Sequence, residues 1–343
     1  MNYLSLLNLL IIFLVIYFFF KKNHFLNDNT NYSEHKNFGK SNEAPIILGG
    51  IFLLIVTIFF FSNDLIVLKI SILLIYVLGF LSDKNILPNP RVRILFQILI
   101  LSSMVFFSQL KIINLENYYL NMMLDNMIFN IFFTVFCLAI LVNGSNFLDG
   151  LNGLLSGYYL MIILSIIYIN FNYENINLIF ENELKVLFCS LIIFFIFNIF
   201  GKVYLGDGGS YLIATFIGYY LIQFSLSNSQ VSPYYVAALL WYPAFENLFS
   251  LTRRLVKKNK ISSPDNEHLH QLIFLFIKSK KILKVKFLNS FTSLVILTIN
   301  IPIFILANLM IDHSLILMIT ILSFMFLYTL IYSLISKNLN IDK

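Results

Sequence analysis

Long apolar runs separated by short polar turns dominate this chain. A helix rises 1.5 Å per residue, so about 20 apolar residues are needed to cross a bilayer core. Eleven runs come near that length: 3–20, 45–61, 65–82, 92–109, 126–143, 151–170, 184–200, 210–226, 234–251, 287–308 and 314–335. The pattern predicts an all-α, polytopic integral membrane protein. No repeat of fixed period is evident. The first run has no basic flank before it and no small-residue cleavage site, which predicts a retained helix rather than a signal peptide. The longest polar stretch, 252–286, is too short for a second domain. It reads as a loop within one transmembrane domain over 1–343.

Composition agrees with that reading. The 343 residues are 59% hydrophobic and 12% charged, against about 25% charged in a soluble domain. A soluble enzyme, a disordered tail and a fibrous repeat are excluded. The formal charge of +6 reads as loop charge rather than nucleic-acid binding. Cys137 and Cys189 lie in apolar runs and offer neither a disulfide framework nor metal-ligand spacing. With the N-terminus outside, only Lys69, Lys111 and Lys185 of the 23 Lys and Arg residues fall away from the cytoplasmic segments. The positive-inside rule therefore puts the N-terminus outside and the C-terminus in the cytoplasm.

Acidic residues add the first chemical signal. Asp83, Asp149, Asp207 and Asp265 all fall on the predicted cytoplasmic side, each in a different loop. Loops carry acids in any case, but four carboxylates on one membrane face also suit a metal and phosphate site. The segment Asn146-Phe-Leu-Asp149-Gly150-Leu-Asn152-Gly153 is on one reading a turn, since Asp-Gly and Asn-Gly favour positive φ. On the first turn of a helix, its spacing of three would put Asn146, Asp149 and Asn152 on one face as oxygen ligands suited to Mg²⁺. Gly206-Asp207-Gly208-Gly209-Ser210 enters the next span. Its glycines allow close backbone approach, and a helix N-terminus attracts phosphate. Lys202 adds a cation nearby. Ser82-Asp83 is followed by Arg91 and Arg93, which suit either phosphate or lipid headgroups. Arg253-Arg254 precede Pro264-Asp265-Asn266-Glu267-His268-Leu269-His270. This His-x-His pair suits phosphate or sugar contact better than zinc. Glu246, inside a span after Pro243, is either functional or bonded to a neighbouring helix.

Taken in order, these segments resemble the polyprenyl-phosphate N-acetylhexosamine-1-phosphate transferases, a family that includes the phospho-MurNAc-pentapeptide transferases. Asn146 to Gly153 resembles its Asn-x-x-Asp-Gly-x-Asp-Gly motif. Val203 to Ser210 resembles its apolar-Gly-Asp-x-Gly-Ser signature, with Asn198 and Gly201-Lys202 matching before it. Ala44-Pro45 to Gly50 resembles its early Pro-x-x-Gly-Gly element, and His268-Leu269-His270 its His-x-His. The chain departs from the family at Ser82, Asn152 and Gln271, where Asp, Asp and His are usual.

The resemblance implies transfer of a sugar-1-phosphate from a UDP-sugar to undecaprenyl phosphate, with release of UMP. This would be the first membrane step of a cell-envelope glycan, at the cytoplasmic face of a bacterial inner membrane. It implies Mg²⁺, with Mn²⁺ as a substitute, held by Asn146 and Asp207. Asp83, Asp149, Asn152, His268 and His270 take the catalytic roles. Lys202, Arg93, Arg254, Gly208 and Ser210 bind substrate. Direct in-line attack is preferred to a covalent aspartyl intermediate. A homodimer is also consistent with the family. A UDP-MurNAc-pentapeptide donor is the second substrate reading. A transporter is disfavoured because its ionisable residues would sit near the midplane, and an inactive scaffold is a further alternative.

Overall fold

The computed structural model describes residues 3–23, 45–257, 267–280 and 285–339. Ala44, His35, Lys36, Lys40 and Asp265 with its neighbours 258–266 lie outside the described residues. The described chain forms α1 (Tyr3–Asn23), β1 (Ile46–Ile47), α2 (Gly49–Phe60), α3 (Ile66–Asp83), α4 (Pro90–Phe107), α5 (Tyr118–Leu124) and α6 (Met127–Leu148). It continues through α7 (Leu154–Asn172), α8 (Glu181–Ile199), β2 (Val203–Tyr204), α9 (Gly206–Ser227) and α10 (Pro233–Val256). It ends with α11 (Leu269–Ser279), α12 (Val285–Leu309) and α13 (Ser314–Asn338).

Among the described residues, α1, α3, α4, α6, α7, α8, α9, α12 and α13 are long and apolar enough to cross a membrane. The protein is an all-α, polytopic membrane protein. Two of the eleven expected runs stand apart from these nine. Helix α10 has the length but carries Glu246, Arg253 and Arg254. Helix α2 has only 12 residues, rising about 18 Å. The run 45–61 is therefore not helical throughout. Residues 46–47 pair in parallel with 203–204, and extended chain gains about 3.3 Å per residue. At the far end of α2, the Ser62 N–H donates to Glu183 in the first turn of α8 at 3.0 Å. The other end of α8 leads into β2. Helix α2 thus runs between the same two ends of the bundle as α8.

Helix α9 is the hub. Sixteen of its 22 residues are buried, against five of 25 in α13. Glycines let its neighbours in, as they do where membrane helices approach closely. A Cβ on Gly50 would meet the Gly209 backbone N at 2.8 Å, and one on Gly79 would collide with the Gly208 backbone. The short ladder sets α2 and α9 side by side, with Leu48 N–H to the Tyr204 carbonyl and Gly50 N–H to the Leu205 carbonyl, both at 3.1 Å. The outer helices turn apolar side chains outward, including Phe18, Phe19, Leu95 and Phe326.

The connections bring one set of helix ends together. The C-terminal ends of α3, α6, α8 and α10 meet the N-terminal ends of α4, α9, α11 and α12. Lys69 and Lys185 lie at the opposite end, on the Phe61 carbonyl and Glu181 respectively.

Candidate active site

The first turn of α9 organises the site. Gly206 takes φ +78, a left-handed conformation that favours glycine. It has a second constraint, because a Cβ there would lie 2.7 Å from Asp83 Oδ2. The absent side chain lets the Asp83 carboxylate reach the helix N-terminus. Asp83 accepts the Asp207 N–H at 3.0 Å on Oδ1 and the Gly208 N–H at 3.3 Å on Oδ2. Two N–H groups with no partner inside the helix are satisfied, and the carboxylate sits at the positive end of the dipole. The sequence pattern had offered these N–H groups to a phosphate. In the structure, two of them bond to Asp83.

Asp207 projects from the same turn. Ser82 Oγ donates to Asp207 Oδ2 at 2.7 Å, and Arg93 Nη1 lies 3.3 Å from that oxygen. Arg93 also donates to Ser82 Oγ. The first turn of α4 supplies Arg93. Asn89 caps this helix by accepting the Arg91 N–H at 3.0 Å, and Pro90 begins it, a position where its missing N–H is harmless. Asp83, Arg93, Asp207 and Gly208 are thus brought together, with Ser82 at their centre.

Asn146 is not on the first turn of a following helix, as its spacing had suggested. It occupies the last turn of α6, Asp149 follows the end of that helix, and Asn152 lies in the turn before α7. Gly153, at φ +81, reverses the chain, so the three side chains do not share one helical face. Asn146 still joins α9: Ser210 Oγ donates to Asn146 Oδ1 at 3.0 Å and is 3.0 Å from the Asp207 carbonyl. Asn152 belongs to a separate scaffold. Its N–H donates to Asn289 at 2.6 Å. Asn198 Oδ1 accepts the Gly153 N–H at 2.7 Å, and Asn198 Nδ2 donates to the Val203 carbonyl at 2.8 Å. Asn198 therefore fastens the α6–α7 turn to β2. Lys202 is exposed, its ammonium over the Phe197 ring. Arg254 is half-buried near the end of α10.

The histidines approach from α11. The His268 ring packs at a tilt of 35° against Phe147, the residue after Asn146, with ring centroids 4.5 Å apart. His270 lies parallel to His268 at 5.6 Å, and its Nε2 is 2.9 Å from where a Gly150 Cβ would stand. His270 is fully buried, and among the described residues neither ring nitrogen has a hydrogen-bond partner. Burial, reinforced by nearby His268 and opposed by Glu246, pushes its imidazole down to about 3, so it is neutral at pH 7. Gln271, which departs from the usual histidine, accepts the His268 N–H at 3.2 Å.

Several partners were hidden in the sequence: Ser82 and Arg93 on Asp207, Asn198 and Asn289 on the α6–α7 turn, and Gln97 on α4, which accepts from Asn143 at 3.0 Å. Polar residues inside apolar runs were the available signal for Asn198 and Gln97. Glu246 carried that same signal, and its partner is His268.

Residues 65–225 match the family model described as glycosyl transferase family 4. The matched segment holds Asp83, Arg93, Asn146, Asp149, Asn152, Lys202, Asp207, Gly208 and Ser210, and ends before Arg254 and the histidines. The chain is 34% identical over 143 residues to an undecaprenyl-phosphate alpha-N-acetylglucosaminyl 1-phosphate transferase of Thermotoga maritima, covering 41% of this chain and 42% of the relative. It is 30% identical over 149 residues to a probable undecaprenyl-phosphate N-acetylglucosaminyl 1-phosphate transferase of Bacillus subtilis, covering 42% and 40%. A phospho-N-acetylmuramoyl-pentapeptide-transferase of Dictyoglomus thermophilum is 26% identical over 186 residues, covering 53% and 59%. The chain thus spans about two-fifths of the length of the first two relatives.

Proposed function

We propose that this protein is a glycosyl transferase of family 4 that transfers an N-acetylhexosamine-1-phosphate from a UDP-sugar to undecaprenyl phosphate in a bacterial cytoplasmic membrane, working at the cytoplasmic face. The observation that carries the reading is the cluster of Asp207, Ser82, Arg93, Asn146 and Ser210, drawn from α3, α4, α6 and α9 to one end of an apolar bundle. A lipid phosphate held at headgroup depth and a soluble nucleotide sugar can meet there. An oxygen of the lipid phosphate attacks the phosphorus that bears the sugar. The bond from that phosphorus to the bridging oxygen breaks, and UMP leaves with the electron pair. The attacking phosphate is already largely anionic at pH 7, so a strong base is unnecessary. Asp83, committed to the α9 N-terminus, keeps the Asp207 turn in place beside it.

Asp207 and Asn146 are the residues that would hold Mg²⁺, or Mn²⁺ in its stead. Their donor chemistry fits: both offer hard oxygens, and both are tied to the first turn of α9 through Ser210. Among the described residues no group of three or more His, Cys, Asp or Glu could hold a metal alone. Mg²⁺ commonly takes one or two carboxylates and completes its shell with water and substrate phosphate. When bound, it neutralises diphosphate charge and stabilises the leaving group. Arg93, with Lys202 and Arg254 at the rim, offsets phosphate charge, and positioning with electrostatics supplies most of the rate in such transfers.

The test is UMP release by purified protein given undecaprenyl phosphate, Mg²⁺ and a panel of UDP-sugars that includes UDP-MurNAc-pentapeptide. Release that requires both lipid and divalent cation is expected with a UDP-N-acetylhexosamine. No release from any donor by folded protein overturns the proposal.

A further inference from the structure

Glu246 is a carboxylate with no exposed surface, set in a helix of the bundle. Burying a carboxylate costs several kcal/mol unless partners offset it. Among the described residues its Oε2 makes no hydrogen bond of good geometry, and the Tyr328 hydroxyl neighbours the carboxylate. Its Oε1 lies 2.9 Å from His268 Nδ1 and accepts the Leu269 N–H at 3.4 Å.

Anchoring α11 does not require this acid. Gln271 caps α11 from within by accepting the His268 N–H, and the tie to α10 comes from elsewhere. Arg253 donates to the Glu267 carbonyl one residue earlier, and its guanidinium also reaches Tyr332 at 3.0 Å. Lys257 pairs with the Glu267 carboxylate at 2.7 Å. An apolar side chain at 246 would pack the junction at lower cost. What the carboxylate adds is control of one ring. A carboxylate facing Nδ1 requires a proton there, so the neutral imidazole keeps its lone pair on Nε2. The same ring packs at a tilt against Phe147, next to Asn146. His270, 5.6 Å away and nearly parallel, has no such partner on either nitrogen among the described residues.

We propose that Glu246 is a positioning residue: it holds His268 in the Nδ1–H form and aims the Nε2 lone pair at a hydroxyl or N–H donor on the sugar of the nucleotide substrate. This role rests on the transferase reading. His268 is the residue that touches substrate, and Glu246 acts through it. The groups facing His268 are Glu246 from α10, His270 on α11 and Phe147 from α6. Tyr328 on α13 and Tyr242 on α10 neighbour Glu246.

The experiment is a double-variant cycle on the purified full chain, read as kcat and KM for the UDP-sugar: Glu246→Leu, His268→Ala and both together. Loss of an orienting partner of a ligand histidine typically costs about 10–100-fold, so each single variant is expected to lose at least about tenfold. The double variant is expected to be no worse than His268→Ala alone, because the two act as one unit. Glu246→Gln should recover most activity, since the Leu269 N–H keeps the amide oxygen where the carboxylate oxygen was. Pairing Glu246→Leu with His270→Ala should give multiplying losses. Histidine-labelled protein read by nitrogen NMR supplies a second measurement, with His268 assigned by its loss in His268→Ala. The wild type is expected to show Nδ1–H at His268 and Glu246→Leu to release it. Multiplying effects for Glu246 with His268, or Nε2–H in the wild type, overturn the role while leaving the transferase reading standing. Absence of UMP release from the wild type overturns both.

Discussion

Replacing Ser82 with aspartate tests the centre of the site. Ser82 Oγ sits 2.7 Å from Asp207 Oδ2, and the Arg93 guanidinium is 3.3 Å from that same oxygen. In Ser82→Asp two carboxylates would stand about 4 Å apart, repelling by about 4 kcal/mol at the effective dielectric of a partly buried pair. Arg93 lies between them and offers attraction of comparable size. The lost serine hydrogen bond to a charged acceptor is worth about 1.5–3 kcal/mol. The metal-free variant should therefore be less stable than the wild type by a few kcal/mol at most. A divalent cation at Asp207 would gain a second anionic oxygen ligand. Even a quarter of the Coulomb figure, about 1 kcal/mol, lowers the half-saturating concentration about fivefold. Two assays read this: the Mg²⁺ concentration giving half-maximal UMP release, and the rise in melting temperature with added Mg²⁺ in the absence of substrate. The expected result is a lower midpoint and a larger stabilisation than in the wild type. An unchanged midpoint together with unchanged stabilisation would refute a metal held at Asp207.

Asp207→Asn should abolish UMP release while leaving expression and the detergent elution profile intact; near-wild-type turnover would remove Asp207 from the metal site. Asp83→Ala should destabilise the protein by about 1–2 kcal/mol through loss of the α9 cap. Asp83→Asn should keep most of that stability, both read by thermal melting, and equal stability of wild type and alanine variant would contradict the cap. Gly79→Ala should cost about 1–3 kcal/mol, because the new methyl meets the Gly208 backbone and pushes α3 off α9. Unaltered melting and activity would contradict that contact. His270, held near 3 against an ordinary value of 6.5, is neutral when folded and gains a proton on unfolding below pH 6.5. Stability should fall as pH drops through the window from about 6.5 to about 3. His270→Phe should flatten the fall between pH 7 and pH 5, measured by melting temperature.

The sequence pattern located most of the bundle because lipid-crossing helices announce themselves by length and apolarity. It overextended α2, because an apolar run reads the same whether its first residues coil or pair as a strand. Residues 46–47 are claimed by 203–204, a partnership invisible in either segment alone. The motif order led to Asp83, Asp207, Asn146 and the histidines, since each lies beside glycine, proline or polar breaks. What those residues bond to was not legible. Ser82 and Asp207 are 125 positions apart, Arg93 and Asp207 114. Glu246 shows the boundary well. Its cost inside an apolar run was plain from the sequence, whereas its partner came only with the placement of α11 against α10.

By itself, then, the sequence determined that the chain lives in a membrane, that most of its apolar runs are long enough to cross one, and which polar residues stand at the ends of those runs. These are properties of single segments, decided by the free energy of moving each one from water into hydrocarbon. The tertiary structure decided that Asp83 closes the α9 N-terminus instead of leaving it open, that Ser82 and Arg93 share Asp207, and that Glu246 faces one nitrogen of one histidine. Such contacts depend on the register at which helices lock together. That register is set here by glycines at 50, 79, 208 and 209, where backbones touch, and by a two-residue ladder that no local propensity would specify.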